Sequence, residues 1–247
     1  MAVLEAGRVV GEASGRNGGH CNTGVAQDYA SLVASLGAER ARAYYRAYES
    51  AVQSVVSLVE EEGIACDLRR SGKLKLAAKP QHYDGLARTC ELIRREVDAE
   101  VELFSAEQVR AEVDSAAFHG GLLQRNGVQM HVGRFGVGLA EVAARHGALI
   151  YQQTTVQGWK AEAGGYRVDT SRGGLHAGQV LVASGASQHG GLGWYRRRIV
   201  PVGSFIVATE RLPEATLARL LPQRRSYVTS RLIGNYFRIT PDDRLLF

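Results

Sequence analysis

The chain opens on a short apolar run, Ala2-Val3-Leu4, that ends in an acid, Glu5, and turns at once at Gly7. A few apolar residues closed by a glycine turn read as a buried strand. The loop Ala13-Ser14-Gly15-Arg16-Asn17-Gly18-Gly19 follows, and the pair of features narrows the folds open to the chain. In dinucleotide-binding folds an acid at the tip of the second strand accepts hydrogen bonds from the adenosine ribose hydroxyls, about 20 residues beyond a GxGxxG turn. On that spacing the turn would stand before residue 1. The loop gathers backbone N–H groups, an arginine and two hydrogen-bonding side chains, a combination suited to a pyrophosphate and a flavin edge. An ordinary polar turn has the same composition.

Further along, Tyr44, Tyr48, Val52, Val55 and Val59 recur at helical spacing, which predicts one long helix from about Asp28 to Glu62 with Gly63 as its stop. Lys73 to Ala77 reads as a strand, and Pro80 to Val97 as a helix with proline in its first turn. Gly133 to His146 reads as a helix whose Phe135, Leu139 and Val142 share a face. Strands are predicted at Leu149–Tyr151, Thr154–Val156, Tyr166–Thr170 and Val180–Ala183, with turns at Gly164-Gly165 and Gly173-Gly174. The tail adds strands at Val200–Thr209, Ser226–Ser230, Tyr236–Thr240 and Leu245–Phe247. Such interleaving means an α/β or α+β fold.

Composition excludes several function classes. The 45% of hydrophobic residues suits a buried core, and no window approaches the roughly 20 apolar residues of a membrane span. The N-terminus lacks the pattern of a secretory leader, so a cytoplasmic protein is expected. Cys21, Cys66 and Cys90 are odd in number and far apart, which suggests neither a disulfide framework nor a zinc site. A net charge of +5 raises the question of nucleic acid, but the arginines are scattered and aromatics are only 7% of the chain, against a nucleic-acid face.

With these residues in view, Val3-Leu4-Glu5-Ala6 followed by Ala13 to Gly19 resembles the second strand and flavin loop of the D-amino-acid oxidase superfamily of FAD-dependent oxidoreductases. Within it the likeness is closest to gamma-glutamylputrescine oxidoreductase-like enzymes. It continues through the long helix, through Gly133 to Gly147, through Val180 to Ala186, and through Tyr236 to Phe247. The resemblance implies an incomplete Rossmann-like FAD-binding domain from residues 1–65 and 130–190, and a β-rich substrate domain from residues 66–129 and 191–247.

It also implies roles. Glu5 would hold the ribose, Ser14, Gly15, Arg16, Asn17, Gly18 and Gly19 would line the pyrophosphate and isoalloxazine, and Val156 would meet the adenine through its backbone. Ala183 and Gly185 would end a strand near the cofactor; from the residues alone Val156 and Ala183 read more simply as core strand residues. On the substrate side Tyr236 matches an aromatic hydroxyl near the flavin. His20 follows the flavin loop, and His131 stands where relatives carry His-Pro, with Val132 in place of the proline; each histidine has a structural reading as well.

The implied reaction is oxidation of a C–N bond in a small amine or amino acid: a hydride passes to flavin N5 and the imine is hydrolysed, with oxygen or another acceptor taking the electrons. Relatives place a strand and the GxGxxG turn ahead of residue 1 and further sheet beyond Phe247. The expectation is therefore an exposed sheet edge and weak flavin binding by these residues alone. A catalytically inactive remnant or interaction module is the alternative; a nicotinamide-dependent dehydrogenase fits the loop less well.

Overall fold

The computed structural model describes residues 1–24, 27–185 and 193–247. Its first half runs β1 (Ala2–Leu4), β2 (His20–Cys21), α1 (Tyr29–Leu36), α2 (Ala38–Glu62), β3 (Arg69–Arg70), β4 (Lys73–Leu76), α3 (Pro80–Glu96), β5 (Glu102–Phe104), α4 (Ala106–Glu112), β6 (Gly121–Gln124) and β7 (Val128–Gln129). The second half runs α5 (Val132–Arg145), β8 (Leu149–Tyr151), β9 (Val156–Glu162), β10 (Gly165–Thr170), β11 (Gly173–Ala177), α6 (Gly193–Arg196), α7 (Glu214–Leu220), β12 (Ser226–Thr229), β13 (Tyr236–Ile239) and β14 (Leu245–Leu246). The class is the expected α/β mixture. Two compact units form, Met1–Gly15 with Gly136–Phe205, and Arg16–Phe135 with Ile206–Phe247.

In the first unit β1 and β8 pair in parallel, Ala2 with Leu149 through Leu4 with Tyr151. Pairing carries on to the acid: Glu5 N–H donates to Tyr151 O at 2.9 Å, and Thr154 N–H to Glu5 O at 2.9 Å. β9, β10 and β11 form an antiparallel meander. Two expectations change here. Gly173 and Gly174 open β11 and do not turn; the turn falls on Ser171 and Arg172, where Thr170 Oγ1 accepts from Arg172 N–H at 3.1 Å and donates to Gly173 O at 2.6 Å. Val180–Ala183 forms no strand. Leu181 is 91% exposed, and no described strand takes up the backbone N–H and C=O groups that a strand must pair. Ala186, the end of that motif, lies outside the described residues.

The second unit carries a six-stranded sheet of order β14-β13-β12-β4-β6-β5, parallel between β12 and β4 and antiparallel elsewhere, and a three-stranded sheet of order β2-β7-β3. Alternation along β4 sends Leu74 and Leu76 to one face, where they pack with Val109 of α4, Leu217 of α7, Leu123, Tyr227 and Phe237. On the opposite face Leu122 packs with Tyr29, Tyr45, Leu86 and Ile93 of α1, α2 and α3.

The predicted long helix is two helices, broken at Gly37, where φ is 82°. Asp28 caps the first, its carboxylate accepting from Ser31 N–H at 2.9 Å, and Gly63 ends the second. The buried face of α2 is Ala41, Tyr45, Val52, Val56 and Val59, while the expected Tyr44 and Tyr48 are exposed. Tyr45 goes inside because its hydroxyl finds a partner in the Gln124 side-chain amide and its ring meets Tyr29 edge-on at 5.6 Å. α3 and α5 match their expected spans to within a residue or so. The predicted strand at Val200–Thr209 shrinks to its end, where Val207 and Phe247 exchange backbone hydrogen bonds. The unit boundaries also differ from the expected domain division: residues 16–65 join 66–129, because α1 and α2 bury their apolar faces against α3 and β6.

Candidate functional site

Of the residues expected at the cofactor, Glu5, Ser14, Gly15, Val156, Ala183 and Gly185 lie in the first unit, and Glu5 ends β1. Glu5 Oε1 accepts from Gly7 N–H at 2.7 Å, which fixes the turn and leaves the second carboxylate oxygen available at a strand tip. Ligands of open α/β sheets bind outside the carboxyl ends of the strands. Ser14 lies in a turn closed by Gly15 N–H to Glu12 O at 3.0 Å. A Cβ on Gly15 would stand 2.0 Å from Val10 O, so this close approach requires glycine. Val156 opens β9 and pairs with Thr170 at a register shift. Ala183 and Gly185 are exposed and outside any strand.

In the second unit Arg16 and Asn17 lead into Gly18 and Gly19. Asn17 Oδ1 accepts from Gly19 N–H at 3.0 Å, and Gly19 O accepts from Met130 N–H at 3.0 Å. Arg238, buried on β13, holds this segment: Nε donates to Gly18 O at 2.6 Å and Nη2 to Met130 O at 2.9 Å. Next to Gly19, the His20 ring stands edge-on to Tyr236, with centroids 6.0 Å apart and planes at 87°. Burial, and then the Arg238 charge, bring the His20 pKa down to about 4. At neutral pH the imidazole is uncharged, and its buried Nδ1 has no hydrogen-bond partner among the described residues. Tyr236 is 57% exposed. Two sequence-predicted residues separated by most of the chain are thus in contact, one neutral acceptor or donor beside one phenol.

His131 sits elsewhere. Its Nδ1 accepts from Arg134 N–H at 3.3 Å and its own N–H donates to Cys66 O at 2.7 Å, so it caps the start of α5. Arg238 escaped the sequence reading. The signal was present in period-two alternation: Arg238 lies two residues beyond Tyr236, on the same face of the strand.

Each unit by itself carries a feature that fits part of a dinucleotide: in the first, a carboxylate oxygen at a strand tip suits ribose hydroxyls, and in the second, a buried imidazole nitrogen with no partner among the described residues follows a glycine-tight loop. Among the described residues there is no cluster able to hold a metal ion and no helix long and apolar enough to cross a membrane. Residues 1–247 match the family of FAD dependent oxidoreductases, DAO, over the entire chain. The chain belongs to that family. FAD is accordingly the cofactor of the DAO chain described here. Gamma-glutamylputrescine oxidoreductase of Escherichia coli is 28% identical over 252 residues, which cover 100% of this chain and 58% of the relative. The DAO chain thus spans just over half the length of that relative. Among solved structures, glycine oxidase from Geobacillus kaustophilus has a TM-score of 0.71 at 21% identity, covering 99% of this chain and 63% of that one. L-proline dehydrogenase from P. horikoshii has a TM-score of 0.69 at 16% identity, covering 99% and 62%. These two likenesses show a shared fold.

Proposed function

We propose that this protein, with FAD, oxidises the C–N bond of a small amine or amino acid to an imine that water then hydrolyses. The observation that carries this reading is the neutral His20 packed on Tyr236 immediately after the Gly18-Gly19 loop. Bound FAD supplies the acceptor for the hydride that leaves the carbon bonded to nitrogen. Glu5 would accept from the ribose hydroxyls of the adenosine end, Ser14 to Gly19 would line the pyrophosphate and ring, and Val156, Ala183 and Gly185 would stand along the cofactor. The Tyr236 hydroxyl would hydrogen-bond the substrate amine or carboxylate. An uncharged His20 would accept from the amine without placing a like charge beside it, which favours the neutral amine that can release hydride. His131 acts at a distance, by fixing the start of α5.

The relative from Escherichia coli, named for gamma-glutamylputrescine, supports an amine as the substrate class. The electrons pass on to oxygen or another acceptor. A reducing compartment, the cytoplasm, agrees with three free thiols at Cys21, Cys66 and Cys90. The test is anaerobic mixing with a panel of amines and amino acids, FAD being supplied in excess. Tyr236→Phe is expected to lower kcat/KM by about 10- to 100-fold, the worth of one hydrogen bond to a charged group. An unchanged kcat/KM contradicts the role given to the hydroxyl.

A further inference from the structure

The His20–Tyr236 contact joins two sheets. Tyr236 stands on β13 of the six-stranded sheet, and His20 on β2 of the three-stranded one, where it pairs with Gln129 of β7. Among the described residues the two sheets are separate ladders, so backbone pairing does not fix the rings at 6.0 Å and 87°. Arg238 bridges them. It lies two residues beyond Tyr236 on the same face of β13 and is 4% exposed. Its three nitrogens all donate to the β2–β7 side: Nε to Gly18 O at 2.6 Å, Nη2 to Met130 O at 2.9 Å and Nη1 to Gln129 Oε1 at 3.4 Å. Gly18 precedes His20 by two residues, Met130 N–H donates to Gly19 O at 3.0 Å, and Gln129 faces His20 across the ladder. The guanidinium thus holds both strands at the level of His20. The ring in turn lies against the held loop, since a Cβ on Gly18 would stand 3.2 Å from His20 Cδ2.

Among the described residues no carboxylate pairs with Arg238. A buried cation with only neutral acceptors is costly to keep, and a planar fork that reaches two carbonyls and an amide oxygen at once is what a lysine does not supply. We propose that Arg238 is a positioning residue: its guanidinium ties β13 to the Gly18-Gly19 loop and to β7, and thereby sets the His20 ring against Tyr236. It acts through the two rings and on no reacting atom. Its charge also faces the imidazole, which burial and then Arg238 keep unprotonated. The value of this placement for catalysis rests on the function proposed above, in which His20 accepts from the substrate amine and Tyr236 binds the substrate.

The geometry is tested on the full chain without FAD, by NMR of the histidine and arginine side chains. In the wild type the Arg238 Nε–H is expected to exchange in D2O at least about tenfold more slowly than that of the exposed Arg40. Arg238→Met and Arg238→Lys should each move the His20 ring resonances as far as Tyr236→Leu does, because each takes the phenol ring away from the imidazole, while His82 and His119 of the same unit stay in place. A His20 resonance that keeps its wild-type position in Arg238→Lys, a shift of all three histidines together, or an Nε–H that exchanges as fast as that of Arg40 overturns the proposal. The wild-type exchange alone decides this if neither variant folds. With excess FAD and the amine panel, Arg238→Lys, which keeps the cation, is expected to lower kcat about 10- to 100-fold with KM little changed, the effect of a small misplacement. An unchanged kcat overturns the positioning role. If the wild type turns over no substrate, the function proposed above fails, and the ring and exchange measurements still decide the geometry.

Discussion

Gly19 shows how tightly single residues fix the loop. Its φ is 67°, and a Cβ there would stand 2.1 Å from Met130 O and 2.9 Å from an Arg238 nitrogen. Gly19→Ala is therefore expected to cost about 2–3 kcal/mol in urea unfolding, since backbone strain and a backbone clash act together; a loss under about 0.5 kcal/mol, the scale of a neutral surface change, would show that the loop is not held this way. His20 makes a second prediction. With a folded pKa of about 4 against 6.5 in the unfolded chain, only the unfolded chain takes up this proton between those values. The contribution of His20 to stability is complete above pH 6.5 and falls as the pH drops towards 4. His20→Gln should flatten the stability curve across that window, and thermal unfolding at several pH values measures it. Glu5, His20 and Tyr236 were legible in the sequence because short motifs carry them. Arg238 was not, because what matters about it is burial against the Gly18 and Met130 carbonyls, which depends on segments far away in sequence.

At the scale of elements, local signals read well where the chain supplies its own partners. Pro80 opens α3, and Gly63 ends α2, both at the positions their residue types indicate. Reading failed where a partner decides the outcome. Val180–Ala183 has the apolar composition of a strand but no described neighbour, and the phase of α2 was set by the Tyr45–Gln124 contact across the unit and not by the tyrosine spacing. The tie between β12 and α4 belongs here too. Arg225 Nε and Nη2 donate to the two Glu112 carboxylate oxygens at 3.0 and 3.2 Å, and both side chains are largely buried. Arg225→Met should cost about 3 kcal/mol, because it strands a buried carboxylate, and adding Glu112→Leu should recover much of that. A double variant as unstable as the single one would mean that packing and not the stranded charge sets the cost.

At the scale of the whole molecule, the family likeness covers every residue of the chain, yet each compact unit is assembled from two separated stretches. Sequence order alone suggested an α/β class and a division into two parts, and it put the boundaries in other places, since helix packing against β6 is invisible to a local pattern. The reaction proposed for the chain is C–N oxidation with FAD. It is tested most directly by mixing the chain with excess FAD and a panel of amines and amino acids under anaerobic conditions, and following the loss of the oxidised flavin absorbance together with the release of a carbonyl product. The expected result is flavin bleaching that depends on the chain, requires a substrate with a C–H bond beside nitrogen, and needs more FAD in the Glu5→Ala variant. Flavin that stays oxidised with every amine and amino acid, or that is reduced as quickly without the chain, would contradict it.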